Sequence, residues 1–244
     1  MEQKKLVALT FDDGPTAGIT DKVLDVLKEN GVVASFFLIG NNVTDSTAPL
    51  VKRAHDMGCS IENHSRTHSA MTTLSEQEIL DEISYTSDVI EKLTGDKPQF
   101  FRPPYIDHDK KMYDLIDLTF ICGYGCEDWL PEVPAVERVQ RILAQAKPGF
   151  IILMHDMQGN EQTVEAIKTI IPELKKQGYE FVTIRDLFKK SGAVPESLQP
   201  DNMSRKLEQI YVRKKQRQRR LAVCGICVII LIIAVIVFLI VRGL

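Results

Sequence analysis

"LVALTFDDGP", Leu6 to Pro15, is a largely apolar run that ends on two adjacent aspartates. Its apolar residues do not alternate with polar ones, so Leu6–Phe11 reads as a strand buried on both faces of a parallel sheet. Neighbouring carboxylates repel each other. Asp12 and Asp13 at the end of a buried strand therefore call for a partner: a metal, a proton or a helix N-terminus.

Six further runs of the same kind follow: Val32–Ile39, Cys59–Glu62, Gln99–Phe101, Thr119–Tyr124, Phe150–Met154 and Phe181–Ile184. Amphipathic segments separate them. Asp21–Asn30 places Val23, Leu24, Val26 and Leu27 on one face and stops at Gly31. Leu50–Met57 stops at Gly58. Ser75 and Glu78 have the spacing of a capping box, and Ile79, Ile83, Thr86, Ile90 and Leu93 form a stripe behind them, closed by Gly95. Val136–Ala146 and Val164–Gln177 repeat the pattern. Strand-then-helix units in this number predict an α/β fold, either a barrel or a doubly wound sheet.

The chain has 244 residues, 26% of them charged and 44% hydrophobic, which suits one substantial globular core. Its net charge of -3 conceals an asymmetry. Residues 201–244 carry nine Lys/Arg and two Asp/Glu, a net +7, which leaves -10 for the first 200 residues. The five cysteines do not form a paired framework. Cys59, Cys122 and Cys126 read as core thiols, and the Cys224/Cys227 pair sits in an apolar run.

The polar singularities of the sequence fall at strand ends. "ENHSRTH" follows the third strand, "RPPY" the fourth, "EDW" the fifth, and "HD" ends the sixth. In an α/β barrel all of these lie on the C-terminal rim, where active sites are built. His64 and His68 are four apart, so on a helical turn their imidazoles share a face and can grip one ion. Two histidines and one carboxylate make a metal shell with open positions. Asp13 supplies that carboxylate, and Asp12 stays off the ion to act as a base.

"TFDDGP", "HSRTH", "RPPY", "EDW" and "ILMHD" resemble, in order and spacing, the motifs of the NodB-like polysaccharide deacetylases, carbohydrate esterase family 4, over about Leu6 to Phe188. The resemblance implies a distorted (β/α) barrel of about seven strands. It implies that Asp13, His64 and His68 bind one divalent metal, zinc being expected and cobalt or manganese the alternatives. Asp12 would be the general base, with Arg102 orienting it. The Tyr105 N–H would stabilise the oxyanion. His155 would be the general acid, supported by Asp128. Trp129 and Leu153 would wall a slot for the acetyl methyl. The implied substrate is an N-acetylated amino sugar of a peptidoglycan- or chitin-like glycan. Ile106 stands where many members have glycine, and Gly125 where many have aspartate; both bear on specificity. His55 and His108 match no motif and read as surface residues, and Asp156 reads as a support behind the site or a structural residue rather than a catalytic one. The competing readings are a metal amidohydrolase acting on a non-sugar C–N bond and a non-catalytic tethered module.

Residues 192–204 read as a linker and 205–220 as a basic segment. Leu221–Val241 is a run of 21 residues without a charge, long enough at about 1.5 Å per residue to cross a bilayer core as a helix. A single-pass membrane protein with a lipid-contacting basic flank is therefore expected, and nucleic acid is not an expected partner. The basic flank and the short apolar N-terminal run favour a cytoplasmic catalytic domain (residues 1–191), whereas the family resemblance favours an extracytoplasmic one.

Overall fold

The computed structural model describes residues 5–191. Seven strands and seven α-helices alternate along them. Strand β1 (Lys5–Asp12) precedes helix α1 (Thr20–Asn30), β2 (Ser35–Leu38) precedes α2 (Ala48–Asp56), and β3 (Ser60–Asn63) precedes α3 (Glu76–Thr94). Then come β4 (Phe100–Phe101), α4 (Lys110–Leu115), β5 (Thr119–Phe120), α5 (Ala135–Gln145), β6 (Phe150–His155), α6 (Glu161–Lys176), β7 (Tyr179–Phe181) and α7 (Ile184–Ser191).

All strand pairs are parallel, in the order β5-β4-β3-β2-β1-β6. Strand β7 pairs with the first residues of β1, at Lys5–Val7, and β2 with its last, at Thr10–Asp12. The sheet curls until the chain after β5 reaches β6, where one isolated bridge, Tyr124 to Ile152, joins the two ends. The fold is a curled half-barrel closed by that bridge.

β1 shows why both of its faces are apolar. Val7, Leu9 and Phe11 pack outward into a large cluster with α1 and α6, through residues such as Leu24, Leu27, Ile167 and Ile170. Leu6 and Ala8 face the interior with Phe37, Phe100, Ile121, Val182 and Ile184. Thr10 and Asp12 continue the inward face by the two-residue period of a strand. The interior is thus apolar near the strand starts and polar near the strand ends. Helix α7 covers the apolar end, with Arg185 ion-paired at 2.6 Å to the fully buried Glu62.

Two expected strands end elsewhere. The run Thr119–Tyr124 is a strand only to Phe120. Beyond it the backbone leaves β4 and crosses to β6, passing so close that a Cβ on Gly123 would lie 2.9 Å from Leu153 Cβ. The run Phe181–Ile184 is not the seventh strand. β7 begins directly after Gly178, and Thr183 caps α7, its hydroxyl accepting from the Asp186 N–H at 3.1 Å. Thr183 and Asp186 have capping-box spacing, so the signal was present in the sequence. The helix Lys110–Leu115 was also not anticipated. It is short, and Asp109 caps it by accepting from the Met112 N–H.

Among the described residues no helix is long and apolar enough to cross a membrane. The expected linker, basic segment and membrane span, 192–204, 205–220 and 221–241, lie outside the described residues, as do Cys224 and Cys227. Cys59 and Cys126 are buried, as core thiols should be, and Cys122 is half-buried.

Candidate active site

Strand register aligns the functional residues. Asp12 pairs with Phe37 on one side and His155 on the other, Leu38 with Asn63, and Asn63 with Phe101. The next residues, Asp13, His64 and Arg102, therefore emerge together on the C-terminal rim. Eight of the ten expected site residues line one cleft of about 500 Å³ there: Asp12, Asp13, His64, His68, Tyr105, Trp129, Leu153 and His155. The other two, Arg102 and Asp128, are buried behind it.

The carboxylate Oδ1 of Asp13 lies 3.3 Å from Nε2 of both His64 and His68. The ring of His64 has its Nδ1 2.6 Å from the Arg102 carbonyl, so Nδ1 carries the proton and donates it. Nε2 of a neutral His64 then presents a lone pair to Asp13. Asp13 Oδ1 is correspondingly buried with no hydrogen-bond donor among the described residues. Three acceptors converging without a proton between them fit a cation, and their N, N, O chemistry fits a divalent one of borderline softness. Burial alone would raise the Asp13 carboxyl. Positive charge at the surrounding imidazoles, His64 first and then His155 and His68, opposes this and holds it below its ordinary value, so Asp13 is the anion of the set whether the charge beside it is an imidazolium proton or a bound cation. Burial pushes the His68 imidazole down, which favours its neutral form.

One expectation about this triad fails. His64 and His68 do not share a helical turn. They lie on an irregular loop after β3 in which Ser65 and His68 take positive φ values of 67° and 60°. The sequence spacing is right for another reason: the loop is folded back by its own polar residues. Asn63 Oδ1 accepts from the Ser65 N–H at 2.8 Å and Ser65 Oγ from the His68 N–H at 3.1 Å. Glu82, on the buried face of α3, accepts from the N–H groups of Arg66 and Thr67 and from the Thr67 hydroxyl, all at 2.8 to 2.9 Å. Nothing in the motifs points to Glu82, although an acidic residue one turn from both Ile79 and Thr86 on a buried stripe is a signal. Glu82→Ala should leave three donors unpaired and loosen His68. We expect metal affinity to fall by about 10- to 100-fold, the range for residues that hold ligands in place, with helix content retained. Isothermal titration with zinc on the metal-free chain measures it.

Asp12 is separated from the triad by its other partner. Arg102, fully buried, donates from Nη1 to Asp12 Oδ1 at 2.5 Å and to Thr10 Oγ1 at 2.9 Å, and its guanidinium lies over the Phe37 ring. Asp12 Oδ2 is 4.0 Å from His64 Nε2 and faces the cleft. Across the cleft, Asp128 Oδ1 accepts from His155 Nδ1 and its Oδ2 from the His155 N–H, both at 2.8 Å. Burial would lower the His155 imidazole, but the Asp128 carboxylate prevails and raises it to about 9. Asp128 responds in kind: burial pulls it up, and the hydrogen bond from His155 brings it below its ordinary value. The Trp129 ring stands edge-on to His155, 5.6 Å between centroids.

Tyr105 and Ile106 both lie in the left-handed region, at φ 58° and 53°. This conformation is strained for a β-branched residue, and it bends the "RPPY" loop so that both line the cleft. Gly125 lines it as well; a Cβ there would lie 3.1 Å from the Leu153 carbonyl, so the bare wall follows from close packing on β6. Asp156 faces away, fully buried behind Gly14, and accepts from the Thr20 hydroxyl at 2.5 Å, a structural position as expected. His108 differs from expectation. It is half-buried, edge-on to the Tyr113 ring, and burial pushes its imidazole down. His55 is also half-buried, 3.2 Å from Asp96.

The sequence pattern of the polysaccharide deacetylase family matches residues 1–120. A bifunctional xylanase/deacetylase of Pseudobutyrivibrio xylanivorans is 47% identical over 194 residues, 80% of this chain and 32% of that protein. The peptidoglycan-N-acetylglucosamine deacetylase PgdA of Listeria monocytogenes is 38% identical over 185 residues, 75% of this chain and 39% of that protein. The chain thus spans about a third of the length of these curated relatives. Among solved structures, a family 4 acetyl xylan esterase from Clostridium thermocellum in complex with a cobalt ion superposes with a TM-score of 0.76 at 42% identity, over 78% of this chain and 93% of that one.

Proposed function

This chain belongs to the polysaccharide deacetylase family, carbohydrate esterase family 4, and on that premise we propose that it hydrolyses acetyl groups on a glycan with a divalent cation seated on Asp13, His64 and His68. The observation that carries the reading is the disposition of one cleft: a carboxylate with a free oxygen on one wall, a carboxylate-backed imidazole on the other, and a three-donor seat between them. When bound there, the cation, expected to be zinc, would supply Lewis-acid polarisation of the acetyl carbonyl and acidify a water molecule. Asp12 accepts the proton of the attacking water at Oδ2, while Arg102 holds Oδ1 and fixes the carboxylate plane. The Tyr105 N–H donates to the developing oxyanion. As the bond from the acetyl carbon to the leaving atom breaks, His155 gives that atom the proton from Nε2, and Asp128 stabilises the imidazolium until then. Trp129 and Leu153 bound a narrow apolar wall that suits a methyl group.

The first reading of the substrate is an N-acetylated amino sugar. A second, an O-acetylated xylan, gains support from the 47% identity to the xylanase/deacetylase. The same residues serve both, since an amine and an alkoxide each need a proton to depart. Acetate release from acetylated xylan, N-acetylated chito-oligosaccharides and peptidoglycan fragments separates the two; no release from any of them rejects the proposal. A membrane tether over 221–241 is part of the same proposal, supported by that run's length and lack of charge. Extraction of the chain from membranes by alkaline carbonate would overturn it. Protease treatment of intact cells stripped of their wall decides between the cytoplasmic placement favoured by the charges and the external one favoured by the family.

A further inference from the structure

Arg138 is a guanidinium almost fully buried in α5, 1% exposed, and among the described residues no carboxylate forms an ion pair with it. Burying a charge in this way costs several kcal/mol unless its donors are used. They are used on one structure. Nε donates to the Val133 carbonyl at 2.8 Å and Nη2 to the Leu130 carbonyl at 3.3 Å, which pins the loop that follows Asp128 and Trp129. Nη1 donates to Asn160 Oδ1 at 2.5 Å and to Thr163 Oγ1 at 2.8 Å.

The direction of those last two bonds matters. A guanidinium can only donate. Thr163, having accepted from Arg138, must aim its single hydroxyl proton elsewhere, and it donates to Asp128 Oδ2 at 2.7 Å. Asn160, with its oxygen held by Arg138, must present its amide nitrogen on the other side. That nitrogen donates to the His155 carbonyl at 2.8 Å and to Asp128 Oδ2 at 3.3 Å. Without Arg138, Asn160 could flip and turn an oxygen toward the carboxylate, and the Thr163 hydroxyl could rotate away.

We propose that Arg138 is a positioning residue for the proton-donating pair: by fixing the donor direction of Asn160 and Thr163 it holds Asp128 in the one orientation that binds His155 Nδ1. The proposal rests on the reading of His155 as the acid, but its test does not depend on turnover. The proton shared by His155 and Asp128 gives a downfield imidazole N–H resonance in the proton spectrum of the full chain, assigned by its loss in His155→Ala. In Arg138→Met that resonance should move upfield or broaden away, and in Arg138→Lys, which restores a donor, it should return. In parallel, with whichever acetylated glycan the wild type turns over, kcat should fall about 10-fold in Arg138→Met with KM within about twofold, and recover in Arg138→Lys. A folded Arg138→Met with an unmoved resonance and unchanged kcat overturns the proposal, as does a loss confined to KM. If Arg138→Met does not fold, Thr163→Val takes its place, since it removes the same donor to Asp128; an unshifted resonance there is equally fatal. Should the wild type release no acetate from any glycan, the functional reading fails while the resonance still decides the role of Arg138.

Discussion

His64→Ala should abolish both bound metal and acetate release, whereas Asp12→Asn should abolish only the second. The contrast follows from distances. Asp13 Oδ1 is 3.3 Å from both imidazole Nε2 atoms, and Asp12 Oδ2 reaches no closer than 4.0 Å to His64. Asp12 is instead committed to Arg102 through Oδ1. Losing His64 leaves two donors, too few to hold an ion on a rim open to solvent, and metal content should drop from about one per chain to near zero by plasma mass spectrometry. Lewis-acid catalysis contributes several kcal/mol to such reactions, so a rate loss of at least about 10³-fold is expected. The fold should survive. The Arg102 carbonyl loses its donor, a cost of about 1–2 kcal/mol that lowers the melting temperature by a few degrees. Asp12→Asn keeps the side-chain shape and should cost about 10²- to 10⁴-fold in kcat with metal content unchanged. An Asp12→Asn protein that emptied of metal would exchange the roles of the two aspartates.

How much of this was written in the sequence depends on range. β1 was legible because its apolar faces are continuous and its end is marked by charge. Several expected site residues fall on one rim because they close a strand, as Asp12 and His155 do, or begin the loop after one, as Asp13, His64 and Arg102 do; Asp128 and Trp129, well past β5, and Leu153, inside β6, stood out only through the family resemblance. What could not be read is the scaffolding that acts across the fold. Glu82 is 14 residues from His68 and on another element, and its role exists only because α3 packs against the loop. Arg138 lies one turn before the buried Ile142, so a charge on the apolar stripe of α5 was visible, but its partners Asn160 and Thr163 are more than 20 residues away. Local chemistry explains the misplaced boundaries too. The run after Thr119 looked like a full strand because its residues favour one. The actual path is set by Gly123 and Gly125, which allow the backbone to leave β4 and lie against β6. The helical turn expected for His64 and His68 was an inference from spacing alone, and two left-handed residues replace it.

Asp128→Asn should cut activity in a manner that grows with pH, and the sign can be worked out. His155 donates its proton, so the active form is the imidazolium, and rates fall above the value at which it loses that proton. With Asp128 in place this is about 9, against an ordinary imidazole value of 6.5. Burial acts on the same ring in the opposite direction and is the larger single influence. An asparagine keeps a carbonyl oxygen for the Nδ1 proton but removes the charge, leaving burial opposed only by the more distant Asp12 and Asp13. The basic limb of the pH–rate profile should therefore move down to about 6.5 or below. At pH 8 the loss of protonated His155 alone is then at least about 30-fold, and it shrinks as the pH falls toward the shifted limb. His155→Ala, by contrast, should lose about 10²- to 10⁴-fold in kcat across the whole range with metal retained. Stability follows the same linkage. Because the folded value of His155 is raised, its stabilisation is complete below about 6.5 and is lost as pH rises through about 9. The gap in melting temperature between wild type and Asp128→Asn should thus be wide near pH 6 and narrow above pH 9. A basic limb that stays in place in Asp128→Asn would mean that His155 is not the proton donor, and the reaction would need its acid from another wall of the cleft.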